Sequence, residues 1–395
     1  MKQRDIRKKE AVHFILLLGC ISLFADMTYE GARSINGPYL QVLGASGTVV
    51  GVTAGAGEFV GYALRLFSGY ISDRSRKYWL ILFTGYALNL FSVPLLAWAG
   101  YWQVAVLLII AERAGKAIRN PTRDAMLSYA SGVVGQGWGF GLHQFMDQLG
   151  ATIGPLLISI VLFYKQDHYK DAYLMLFIPA ACALTILYIA RRSYSEPHIL
   201  AIKTVRLQQA EAYPSGFFIY AVSAMLIATG YADYPLIAYH FKQQQLIQDS
   251  WIPALYSLAM LTEGVTSLLL GRLYDKAGAW TLVATTVLSM FFAPLVFLLN
   301  IQWAIAGLVL WGIGMGAQGS IMKALVSELI PASKRASAFG LFDTLFGIAW
   351  FAGSAFMGYL YDKSVMNLVV FSMDMHFIAI IVLTIYLRGH RKQTS

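Results

Sequence analysis

The chain has 395 residues, of which 57% are hydrophobic and 13% charged, with a formal net charge of +9. A soluble domain averages roughly 25% charged residues, so this composition excludes a water-soluble globule and makes the bilayer the expected solvent. Apolar runs long enough to cross a membrane, about 20 residues each, recur along the whole chain. They place spans at 12–33, 47–71, 79–99, 102–127, 138–163, 172–190, 215–240, 251–273, 280–299, 302–327, 337–360 and 366–387. The runs are continuous, whereas barrel strands alternate over about ten residues. The expectation is therefore an all-α membrane protein of twelve transmembrane helices.

The basic start, with Lys2, Arg4, Arg7, Lys8 and Lys9, resembles the head of a signal peptide. The apolar run that follows continues to Asp26 and Glu30 without a small-residue cleavage site, so it reads as the first helix. Cys20 and Cys182 both fall inside spans and have no spacing suited to a disulfide framework or a zinc site. The positive charge is distributed by side. With the amino terminus inside, nineteen lysines and arginines fall in inner loops and four, Lys165, Lys170, Lys242 and Lys363, in outer ones. That asymmetry is the one cytoplasmic loops carry. It predicts a multi-pass inner (cytoplasmic) membrane protein with both termini cytoplasmic, and it argues against nucleic acid as a partner.

A polar stretch near the middle divides the chain into 1–191, a cytoplasmic linker at 192–214, and 215–395. The two parts echo one another at a separation near 200 residues. Gly69-Tyr-Ile-Ser-Asp73-Arg74 matches Gly271-Arg-Leu-Tyr-Asp275-Lys276, Phe91 and Pro94 match Phe291 and Pro294, and Phe140-Gly141-Leu142 matches Phe339-Gly340-Leu341. Internal repeats are how many secondary transporters are built. With Gly69, Asp73, Arg74, Arg76 and Lys77 between helices two and three, the chain resembles the major facilitator superfamily. The resemblance implies two six-helix bundles related by pseudo-twofold symmetry, with a central cavity. Gly69, Asp73 and Arg74, with Asp275 in the second copy, are assigned to gating. Glycine lets two helix ends approach, and an aspartate suits a neighbouring helix N-terminus.

Charges inside spans are costly, about 2.5–3.5 kcal/mol each at the bilayer centre, so they should face a cavity or one another. Helix four is densest, with Glu112, Arg113, Lys116, Arg119, Arg123 and Asp124. Glu112, Lys116, Arg119 and Arg123 share a helical face by their spacing, and Arg113 is expected near mid-membrane. Three readings stand: an anionic-substrate site, a structural ion-pair network, or headgroup anchoring of the inner end at Arg119 and Arg123. Asp26 and Glu30, one turn apart on helix one, and His143 and Asp147, one turn apart on helix five, are candidates for proton coupling. Gly150-x-x-x-Gly154-Pro155 resembles the helix-five motif of the superfamily's antiporters, with glycines for close packing and a proline for a bend. Substrate binding is assigned to Arg113, Lys116, Arg119, Tyr29, Tyr62 and Trp311.

Enzyme signals are absent. Ser320-Ile-Met-Lys323 matches a Ser-x-x-Lys pattern without its companion motifs, and there is no phosphate-binding loop. No cofactor or metal is expected. The leading expectation is a monomeric, proton-coupled secondary transporter moving a small molecule by alternating access, with export by antiport favoured. Its partners are the solute, for which the basic face of helix four suggests an anion, together with protons and membrane lipids. The alternatives are uptake of an organic anion, such as a carboxylate-rich metabolite or a siderophore, and a transporter-fold sensor or assembly protein that does not transport.

Overall fold

The structure, a computed structural model, describes residues 2–75, 77–134, 136–165, 168–194, 215–330 and 335–391. Arg76, most of the linker expected at 192–214, and the side chains of Asp73, Asp275 and Lys323 lie outside the described residues. The described residues are helical, with no strand among them. The helices are α1 (Lys2–Val42), α2 (Gly47–Ser75), α3 (Tyr78–Leu95), α4 (Trp102–Val134), α5 (Gln136–Tyr164), α6 (Tyr169–Met175), α7 (Phe177–Ser193), α8 (Ser215–Gly230), α9 (Tyr234–Gln243), α10 (Trp251–Ala277), α11 (Trp280–Ser289), α12 (Phe292–Leu298), α13 (Ile301–Ala317), α14 (Lys323–Leu329), α15 (Arg335–Lys363) and α16 (Val365–Arg391). Large apolar side chains such as Leu107, Phe163, Leu268 and Ile385 stand exposed, as lipid-facing positions should.

Among the described residues, ten segments are long and apolar enough to cross a membrane. The two expected spans that fall short are α2, diluted by glycine, and α4, interrupted by six charged residues. Four expected spans are broken rather than continuous. The sixth breaks at Leu176, the seventh at 231–233, the ninth at 290–291, and the tenth passes through a π-helical turn, Gln318–Met322. Pro179, Pro235 and Pro294 stand in the first turn after three of these breaks, where a missing N–H costs least.

The break in the seventh span illustrates how its backbone is satisfied. The Trp311 indole N–H donates to the Ala232 carbonyl (2.9 Å), the Ser372 hydroxyl to Gly230 O (2.6 Å), and the Trp350 indole to Asp233 Oδ2 (2.9 Å). The Tyr231 hydroxyl donates to the Trp311 carbonyl. Unwound backbone in a membrane persists only when such partners are supplied.

The chain forms two compact units. The first holds Met1–Ile35 and Val60–Arg206; the second holds Asn36–Phe59 and Leu207–Ser395. The core of the first unit gathers Phe14, Leu18 and Ile21 of α1, Leu82, Tyr86 and Leu90 of α3, Met126 and Leu127 of α4, and Ala183 and Leu187 of α7. Helix contacts here rest on van der Waals fit, because lipid tails offer no competing hydrophobic drive. Backbone-to-backbone contact at glycine is accordingly frequent. A Cβ on Gly115 would lie 2.3 Å from Asn89 N of α3, and one on Gly353 of α15 would lie 2.2 Å from Thr229 O of α8. Gly353→Val should therefore cost about 1–3 kcal/mol. Gly61→Val, where nothing lies within 4 Å, should change stability by less than about 0.5 kcal/mol. Thermal unfolding of the two purified variants in one detergent checks this.

Candidate functional site

The polar side chains of the first unit form a ladder along one face of α1. Ser22, Asp26, Tyr29, Glu30 and Arg33 recur at helical spacing, and each meets a side chain of α4 or α5 or a neighbour on the same face. At one end the Tyr29 ring carries two cations on its faces, with Lys116 Nζ 3.6 Å and Arg113 Cζ 4.7 Å from its centroid. Arg33 Nη1 donates to the Tyr29 hydroxyl at 3.3 Å. Glu30 lies 3.9 Å from both Arg33 and Lys116. Tyr29, Glu30, Arg33 and Arg113 are all buried. Desolvated cation–π contacts of this kind are worth about 2 kcal/mol.

In the middle stands Arg119. It has no exposed surface, which rules out headgroup anchoring for this residue. Its guanidinium lies over the Tyr86 ring (4.4 Å) and 3.5 Å from Asp26 Oδ1. Its Nε and Nη1 have no hydrogen-bond partner among the described residues. At the other end, His143 Nδ1 is 3.3 Å from Asp147 Oδ2, and His143 Nε2 shares a 3.0 Å hydrogen bond with Ser22. Arg123 donates to Asp124 at 2.9 Å and to Ser22 at 3.2 Å, and lies 3.8 Å from Asp147.

Most of these separations exceed hydrogen-bond length. Arg123 gives Asp124 Oδ1 two hydrogen bonds, from Nε and Nη2, while the Glu30–Arg33, Glu30–Lys116, Asp26–Arg119 and Asp147–Arg123 contacts stand at 3.5–3.9 Å, within Coulombic reach. Among the described residues, Arg33, Arg113, Lys116, Arg119 and Arg123 each lie within 4.0 Å of a carboxylate, of Glu30, Glu112, Asp26, Asp124 or Asp147.

Glycines set this geometry. A Cβ on Gly150 would lie 2.3 Å from Leu23 O, and one on Gly154 would lie 2.3 Å from Met27 O. Helix α5 therefore lies in backbone contact with α1, as the spacing of the two glycines predicts, and this contact carries His143 and Asp147 onto the α1 face. Gly85 does the same for α3 and α4, its Cβ position falling 2.8 Å from Arg119 N.

Of the residues singled out by sequence, Arg113, Lys116, Arg119, Tyr29, Asp26, Glu30, His143 and Asp147 come together in the ladder. Glu112 does not share the face of Lys116; it turns to α3, where Asn89 donates to its carboxylate at 2.6 Å and to its carbonyl at 3.1 Å. Tyr62 lies on α2 with Arg65 over its ring at 5.1 Å. Trp311 belongs to the second unit, fully buried as the clamp on the Ala232 carbonyl. Gly69 faces Pro121 at ordinary contact distance, 3.6 Å, and Arg74 is exposed and donates to Tyr70. Sequence reasoning missed Ser22, Tyr86 and Asn89. The last two, with Gly85, form a small polar face on an otherwise apolar α3, which is the signal that was available.

A model of the Major Facilitator Superfamily matches residues 17–354. The chain belongs to this superfamily. An uncharacterized protein of Mycobacterium tuberculosis is 37% identical over 378 residues, covering 94% of this chain and 92% of its own length. An uncharacterized MFS-type transporter of Methanocaldococcus jannaschii is 26% identical over 373 residues, 92% of each chain. Among solved structures, the nucleoside transporter NupG aligns with a TM-score of 0.72 at 13% identity, over 95% of this chain and 98% of its own. This last likeness concerns the fold. The chain is thus a multi-pass membrane protein of a transporter superfamily.

Arg119 and Asp26 should be tightly interdependent. Removing one partner of a buried pair leaves an uncompensated charge and costs about 3–5 kcal/mol. Arg119→Gln or Asp26→Asn alone should lower thermal stability markedly, while the double variant should recover much of the loss. A double-mutant cycle by thermal unfolding measures the coupling.

Proposed function

We propose that this protein is a proton-coupled secondary transporter that moves a small organic solute across the cytoplasmic membrane by alternating access, with both termini cytoplasmic and export by antiport as its direction. The observation that carries the reading is the buried Arg119–Asp26 pair, one turn along α1 from Ser22, which with Arg123 meets the His143–Asp147 pair. A carboxylate in low dielectric is stabilised in either protonation state by small movements of a nearby cation. Protonation of Asp26 or Asp147 frees Arg119 or Arg123 to re-pair, so a proton arriving at one rung alters the hold on the next. Each bound proton makes the ladder one charge more positive. Proton and a cationic or neutral solute then occupy it in turn, which is antiport.

A second reading has its own observation. Arg33, Arg113 and Lys116 converge on Tyr29 and Glu30, a cradle suited to a carboxylate attached to a planar group. An anion would enter together with the proton that makes the ladder more positive, which is symport and uptake. A protein that senses without transporting is the less economical reading, since buried charges are expensive to keep.

Proteoliposomes carrying an imposed pH gradient separate these readings, using solutes selected by thermal shift from anionic, neutral and cationic panels. Solute movement against the proton supports antiport, and movement with it supports symport. Asp147→Asn should cut pH-driven flux at least about tenfold, the range general acid–base groups contribute, while solute binding by thermal shift persists. Flux indifferent to the pH gradient, or unchanged in both Asp147→Asn and Asp26→Asn, overturns proton coupling through the ladder.

A further inference from the structure

Residues 36–59 follow the first membrane crossing, yet they pack within the second unit. They comprise the last turns of α1, a short connection, and the first half of α2. Gly47, Gly51 and Gly55, four residues apart, present a side-chain-free face of α2 to α15. A Cβ on Gly51 would lie 2.3 Å from Ser354 O, and one on Gly55 would lie 2.9 Å from Phe351 O. Reciprocally, a Cβ on Gly358 would lie 2.5 Å from Gly47 O. The two backbones touch along this whole stretch.

The head of this contact carries its polar hold. Asp362, near the end of α15, accepts hydrogen bonds from Gly47 N (2.8 Å), Thr48 N (2.7 Å) and the Thr48 hydroxyl (2.5 Å). The first-turn N–H groups of a helix have no partner in their own helix, and the helix dipole favours an anion there. One carboxylate therefore caps a helix 315 positions away in sequence. Around it the end of α1 is held as well. Gln41 donates to Gln243 (2.5 Å), the Tyr239 hydroxyl donates to Ala45 O (3.3 Å), and Tyr361 is joined to His240 at 3.0 Å. Asp362 itself is exposed, so when the helices part, water replaces its partners without a buried charge being stranded. The geometry is that of a reversible latch.

We propose that Asp362 is a positioning residue of the transport cycle. It holds the first turn of α2 against α15 at the helix ends opposite the termini, and releasing this cap is the step that lets these two helices part. The proposal rests on the alternating-access reading above. The glycine face supplies close contact without polar bonds, so the cap sets how often the latch opens.

The test uses the full-length protein with Cys20 and Cys182, both free thiols, replaced by serine and a single cysteine introduced at Val50, which is fully buried beneath the cap. A membrane-impermeant maleimide is supplied from the side opposite the termini. Losing a helix cap shifts an equilibrium by about five-fold, so Asp362→Asn should speed labelling of the Val50→Cys thiol by about that factor, and Asp362→Glu should return most of the slow labelling. Gly51→Ala, which pushes α2 off Ser354, should speed labelling with Asp362 intact. Should the Asp362→Asn protein fail to elute as a monodisperse species, Thr48→Ala removes one of the three bonds and must still accelerate the reaction. Equal labelling rates with and without the carboxylate overturn the proposal, whatever happens to flux. Faster labelling in a protein that carries no solute flux keeps the latch and removes the transport reading on which its role was placed.

Discussion

A guanidinium with no surface exposed to solvent or lipid is the constraint around which the first unit is organised. Arg119 is shut off from bulk solvent, and its charge is answered by Asp26 and by the face of Tyr86. Burial also fixes what may lie around it. Gly85 and Gly115 bring α3 and α4 into backbone contact because no bulkier residue would leave Tyr86 beneath the guanidinium. Gly150 and Gly154 bring α5 to α1, completing the ring of helices that encloses the charges. The cost of a buried ion is several kcal/mol, and the loose separations of the ladder mean this cost is only partly offset in the geometry seen here. A network held short of its best pairing is one that small displacements can rearrange, which is the property the proposed coupling requires.

The second unit handles its polar groups differently. Charge gives way to aromatic side chains and hydroxyls, and the main polar requirement comes from unwound backbone in the seventh span. Trp311, Trp350 and Ser372 each give one hydrogen bond to that segment or its flanks, and Tyr231 within it donates to the Trp311 carbonyl. Two halves of one repeat have thus diverged in chemistry while keeping a shared plan of helices.

Much of this plan is legible in the residues. Twelve apolar stretches, the echo between Gly69–Arg74 and Gly271–Lys276, and the paired glycines of α5 all follow from periodicity and spacing, because a lipid-embedded helix must be apolar and close helix contact must be made by small residues. The breaks in four spans were less visible. Prolines at 179, 235 and 294 mark three of them, but a proline in a membrane helix can equally be absorbed as a kink. The His143–Asp147 pairing follows from their spacing of one turn, but the partners of charges on other helices were not legible. Spacing along α4 suggests that Glu112 and Lys116 share a face, yet Glu112 meets α3 and Lys116 meets α1, and the rotation of a helix is decided by its neighbours. The complete burial of Arg119 was hidden for the same reason.

The contact at Gly150 and Gly154 has a mechanical corollary. Where side chains separate two helices, rotamer changes can absorb a shift of one relative to the other. Here main-chain atoms meet directly across the pair, so there is no compliant layer between them. Over this stretch α1 and α5 behave as a single stiff lever, and any tilt of one transmits undamped to the other together with the carboxylates each one bears.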